Sequence, residues 1–97
     1  MIAIIATLTA KEGSAQKVED ALAAAAPAVR SDAEPDCHYY QPTRVAGEPN
    51  VFKVFEVYED KAALAAHSAT AHFAPLKELF ATELSVPPVI DILDVFG

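Results

Sequence analysis

An α+β fold with the element order β-α-β-β-α-β is predicted on three observations. Short β-branched, apolar runs alternate with stretches whose apolar residues recur at helical spacing. Two of the strand-like runs are separated only by the turn-forming segment Ala46-Gly47-Glu48-Pro49-Asn50. The adjacent prolines Pro87-Pro88 then divide the last helical stretch from a closing apolar run. The 97 residues fit one domain, 1–97, with no low-complexity linker, internal repeat or block of like charge.

Ile2 to Thr9 is too brief for an amphipathic helix and reads as the first strand. From Ser14, a candidate N-cap, Val18, Leu22, Ala25 and Val29 form one helical stripe that ends around Pro27 to Ser31, where the proline removes a backbone donor. Asp32-Ala33-Glu34-Pro35-Asp36 is a turn. Cys37 to Val45 and Val51 to Tyr58 follow as a hairpin of strands. Asp60 caps a short alanine-rich helix carrying Leu64 and His67. Thr70 is placed to cap another, in which Phe73, Leu76, Phe80 and Leu84 share a face and Pro75 sits near the start. Val89 to Phe96 closes the chain as the fourth strand. This is the split βαβ, ferredoxin-like arrangement: an antiparallel sheet with its helices on one face.

Both faces of the sheet are apolar. In the third strand Val51, Phe55 and Val57 oppose Phe52, Val54 and Tyr58; in the fourth, Val89, Leu93 and Val95 oppose Ile90, Ile92 and Phe96. Helices cover one face only, so the other requires a partner, and the expected partner is a second copy of the chain packed face to face. The core also has little margin, because twenty of the hydrophobic residues are alanine.

Composition removes several functional classes. Seven Lys and Arg against fourteen Asp and Glu give a net charge of −7, which repels nucleic acid and anionic membranes. No apolar run approaches the roughly 18 residues of a membrane span, and the amino terminus lacks the basic region of a secretory signal, so the expected location is the cytoplasm. The single cysteine, Cys37, cannot form an internal disulfide, and no activating base adjoins it in sequence. No phosphate-binding glycine loop, nucleophile elbow or CxxC pair is present.

Three residues carry candidate chemistry. Glu56 is an acid in an otherwise apolar strand: it either pairs with a base such as Lys53 or Arg44, or serves in a pocket where burial raises its pKa. His67 and His72 flank the break between two helical segments, where a capping or packing role competes with catalysis. The trio also suggests a two-histidine, one-carboxylate iron site, but the spacing does not suit ligands on one helical turn, and no metal is expected. Tyr39 and Tyr40 point to opposite faces of the second strand, one toward the helices and one toward the partner.

Glu34-Pro35-Asp36-Cys37 with Tyr39, then Phe52 to Glu56 with Tyr58, then Asp60, Ala63, Leu64, His67 and Ala71-His72-Phe73, together resemble the antibiotic biosynthesis monooxygenase family of YgiN-like dimeric α+β barrel proteins. Asp36 stands where the family usually has glycine, and Tyr58 where it commonly has tryptophan. Haem-degrading members rely on a pocket Asn and Trp; this chain has no Trp, and its only Asn, Asn50, lies in the hairpin turn. The resemblance implies a homodimer with no cofactor, oxidising a small quinol, phenol or anthrone with molecular oxygen. It implies His67 or His72 as base, Glu56 as the orienting group, and Tyr39, Tyr58, Phe73 and Phe80 as substrate-binding residues. A non-catalytic module that binds a small aromatic metabolite, and an isomerase or cyclase on the same fold, are the competing expectations.

Overall fold

A computed structural model describes all 97 residues. The elements are β1 (Ile2–Thr9), α1 (Ala15–Val29), β2 (Cys37–Arg44), β3 (Val51–Tyr58), α2 (Lys61–Ser68), α3 (Ala74–Glu83) and β4 (Val89–Asp94). The sheet is antiparallel throughout, in the order β2-β3-β1-β4, as the split βαβ pattern requires. Strict alternation sets the core. Ile2, Ile4, Ala6 and Leu8 of β1 and Phe52, Val54, Glu56 and Tyr58 of β3 are buried beneath the helices, and Val18, Leu22, Ala25 and Val29 of α1 pack down onto them. No helix is long and apolar enough to cross a membrane.

α1 ends at Val29, inside the expected range from Pro27 to Ser31, and contains Pro27; the carbonyl of Ala23, which the proline cannot bond, lies with Pro27 on the exposed side, where water can replace the missing donor. Several local expectations need correction. Ser14 precedes α1 without capping it, because its hydroxyl donates instead to Glu83 Oε2 at 2.9 Å and ties the start of α1 to the end of α3. Thr70 does not cap α3 either: its hydroxyl donates to the carbonyl of His67, and α3 begins after Phe73 with Pro75 in its first turn. β2 and β4 stop at Arg44 and Asp94, short of Val45 and Phe96.

Asp60 does cap α2, accepting from the Ala63 amide at 2.9 Å. Asp60→Ala is expected to cost about 1 kcal/mol. Urea denaturation checks this, and a loss below a few tenths of a kcal/mol would contradict it.

Two features escape simple periodicity. An irregularity at His38 in β2 shifts the register between Cys37 and Tyr39, so that Cys37 pairs with Tyr58 while Tyr39 pairs with Val57. Tyr40 thereby turns inward and is buried, and Tyr39 stays half exposed on the outer face. The second feature is β4, which pairs with β1 alone and is only loosely covered by the helices, with Ile90 forming part of a cavity wall beside Leu76 and Phe80 of α3. Val89 and Leu93 are about half exposed on one side and Ile90 and Ile92 on the other, so both sides of this strand are incompletely covered.

Candidate active site

The site forms where α2, two turns and the inner face of β3 converge. α2 buries a single residue, and that residue is His67. The turn before β2 buries Glu34, whose amide donates to the carbonyl of Ser31 and whose own carbonyl accepts from the amide of Cys37. Pro35 follows directly, which limits the backbone at Glu34 to conformations compatible with a proline neighbour. The turn joining α2 to α3 supplies His72.

Glu34 holds both histidines. Its Oε1 lies 2.7 Å from His67 Nδ1, and its Oε2 accepts from His72 Nε2. With Glu34 ionised, and so only an acceptor, a neutral His67 ring carries its proton on Nδ1 and its lone pair on Nε2. That second nitrogen lies 3.8 Å from Glu56 Oε1, beyond hydrogen-bond length. The orienting carboxylate of His67 is therefore Glu34, and Glu56 stands on the opposite side of the ring. Three aromatic rings enclose the imidazole: Phe73 at 5.0 Å in an edge arrangement, Tyr58 at 5.4 Å and Tyr40 at 5.9 Å between centroids.

Glu56 accepts from the Tyr58 hydroxyl at 2.6 Å, two residues on along the same face of β3. Burial pushes its carboxyl up to about 7; the nearby Glu34 adds to the rise and the Tyr58 hydrogen bond opposes it. Burial, followed by the charge of Glu56, raises Tyr58 and Tyr40 above the ordinary phenol range, so neither ionises near neutrality. The Cys37 thiol is likewise raised by burial and by Glu34, which argues against a nucleophilic role.

His67 and Glu56 open onto a cavity of about 310 Å³, in which eleven of fifteen lining residues are hydrophobic, among them Phe73, Phe80 and Leu64. That volume is at the lower end for a small-molecule site. Of the residues singled out from sequence, His67, Glu56, Phe73 and Phe80 line it. Tyr58 lies behind Glu56 as a fully buried support, and His72 lies behind Glu34, outside the cavity. Tyr39 is on the far side of the sheet, turned away by the irregularity at His38. Glu34 and Tyr40 were not singled out as site residues. The available signal for Glu34 was an acid locked before a proline; for Tyr40 there was none, because the shift at His38 leaves no mark on periodicity.

The model of the antibiotic biosynthesis monooxygenase family matches residues 1–78. Among solved structures, one of an antibiotic biosynthesis monooxygenase is 26% identical, with all of both chains covered and a TM-score of 0.90. A Caulobacter crescentus protein provisionally described as an antibiotic biosynthesis monooxygenase is 32% identical over 99% of this chain and 90% of its own, with a TM-score of 0.89. The Pseudomonas aeruginosa protein PA3566 is 30% identical over 99% of this chain and 94% of its own, at 0.90. Among curated proteins none matches. The family match spans most of the chain and includes Glu34, Glu56, His67 and His72, and with the shared fold it makes this chain a member of the antibiotic biosynthesis monooxygenase family.

Proposed function

We propose that the protein is a cofactor-independent monooxygenase that oxidises a small electron-rich aromatic, a quinol, phenol or anthrone, with His67 as its base. The observation that carries this reading is His67, paired through Nδ1 with the buried Glu34 and lining an apolar cavity together with Glu56. A substrate of this class becomes reactive toward oxygen once it loses its acidic proton, and a dry pocket favours electron release from the resulting anion. For an anthrone the ring methylene loses two hydrogens and gains one oxygen atom as a carbonyl; the second oxygen atom leaves as water. Molecular oxygen is the only oxidant required. Glu56 next to Nε2 is the group suited to share the abstracted proton, and Phe73 and Phe80 offer stacking surfaces to a flat substrate.

The functional unit in this proposal is a homodimer joined through the outer face of the sheet and β4. Tyr39, Phe55, Val89 and Leu93 expose 39–54% of their surface there and supply apolar side chains for such an interface. Light scattering is expected to give twice the chain mass at micromolar concentration; a stable monomer would contradict the dimer.

Oxygen uptake by chelator-treated protein over a panel of hydroquinones and anthrones tests the activity. Uptake well above each substrate's autoxidation, with one atom of labelled oxygen in the product, is expected. Uptake no faster than autoxidation, together with a ligand that still raises the melting temperature, would replace the enzyme with a binding module.

A further inference from the structure

The cluster around Glu34 has a capability that base catalysis leaves unused. We propose that Glu34, His67 and His72 form a binding site for a divalent transition-metal ion of the zinc class, and that the bound ion switches the base off by reversing the tautomer of His67. The inference rests on the assignment of His67 as base. A carboxylate oxygen of Glu34, His67 Nδ1 and His72 Nε2 all lie within 4.8 Å of one another. Two imidazoles and a carboxylate are a donor set that suits zinc and its neighbours, with ligand bonds of about 2.0–2.2 Å. Both nitrogens already point at the same carboxylate, so a cation entering among them meets all three donors after shifts of about an ångström. The site is reachable, because the His72 side chain is 19% exposed and sits in a turn rather than within a helix. A small cavity lined by Glu34, Cys37, His67 and Thr70 adjoins the cluster.

The switch follows from imidazole chemistry. In the metal-free site Glu34 accepts the Nδ1 proton, and Nε2 keeps its lone pair on the side of the ring that faces Glu56. A metal ion needs the lone pair of Nδ1, so the one ring proton moves to Nε2. The ring stays neutral, but Nε2 changes from an acceptor to a donor. Glu56 Oε1, 3.8 Å away, is placed to take that hydrogen bond after a small movement, as carboxylates commonly do for the outward N–H of a metal-bound histidine.

Zinc ions titrated by calorimetry into chelator-treated protein, with nitrogen-15 spectra of the histidine rings before and after, test the proposal. One zinc per chain is expected, bound at least about tenfold more weakly by His72→Ala and by Glu34→Gln. His38→Ala is expected to bind as the wild type does, since His38 is on the surface with Glu59. The His67 signals should change from a proton on Nδ1 to a proton on Nε2. No binding by the wild type in excess zinc, equal binding by His72→Ala, or saturation with Nε2 still unprotonated would each overturn the proposal. None of these readings involves turnover. A failed metal site therefore leaves the catalytic base standing, and a failed oxygen assay leaves the metal site standing.

Discussion

Glu34→Ala is expected to lower stability by about 2–4 kcal/mol, because it removes the carboxylate that accepts two charge-assisted hydrogen bonds. The carboxylate is 7% exposed and is the hydrogen-bond acceptor of both His67 and His72, so its loss leaves a buried imidazole without its partner. A loss of this size is a large part of the 5–15 kcal/mol typical of a folded domain. Glu34→Gln preserves volume and one acceptor oxygen and is expected to cost about 1–2 kcal/mol. Urea denaturation of the two variants checks both values. A loss below about 1 kcal/mol for Glu34→Ala would mean that the histidines are held by aromatic packing alone.

The second large effect concerns pH. Glu56 is held up to about 7 in the folded protein against an ordinary value of 4.5, chiefly by burial, with Glu34 adding to the rise and the Tyr58 hydroxyl opposing it. The other titratable groups around it are His67, Tyr40 and Cys37, and the last two have pKa values raised further above this interval. Below pH 4.5 the carboxyl is protonated whether the chain is folded or not, and the site costs nothing. As pH rises, the unfolded chain releases its proton first, so the folded state binds more protons and stability falls; the fall is complete above about 7. The interval from 4.5 to about 7 corresponds to about 3 kcal/mol. Relative to Glu56→Gln, the wild type should therefore lose about 3 kcal/mol of unfolding free energy between pH 4 and pH 8. A difference that is constant with pH would show that Glu56 ionises as an ordinary carboxylate.

Much of the fold is legible because the strands alternate cleanly. Ile2, Ile4, Ala6 and Leu8, and likewise Phe52, Val54 and Tyr58, declare their inner face by spacing alone, and the stripe from Val18 to Val29 does the same for α1. What escapes is whatever depends on a tertiary partner. Ser14 and Thr70 have the chemistry of caps, but each hydroxyl finds another acceptor across the fold. The incomplete cover over the inner side of β4, where Ile90 and Ile92 stay half exposed, is invisible in sequence because it depends on where the helices stop.

The site divides in the same way. His67 and Glu56 stand out as polar residues in apolar elements, and the structure brings them to one cavity. Glu34 is the residue that organises them, yet it lies in a turn, where an acid is ordinary. Only its burial, and its contacts to residues 33 and 38 positions along the chain, give it a role. Tyr39 and Tyr40 exchange significance through one irregular residue, His38, which no pattern of polarity announces.

The assignment of His67 Nε2 as the base is tested most directly by oxygen-uptake kinetics of His67→Ala and His72→Ala on the best substrate of the panel, in the presence of chelator. His67→Ala is expected to lower kcat by about 10²–10⁴, the usual contribution of a positioned base. His72→Ala should fall far less, since His72 meets Glu34 rather than the cavity. Uptake by His67→Ala within a few-fold of the wild type, with the variant folded, would contradict the account.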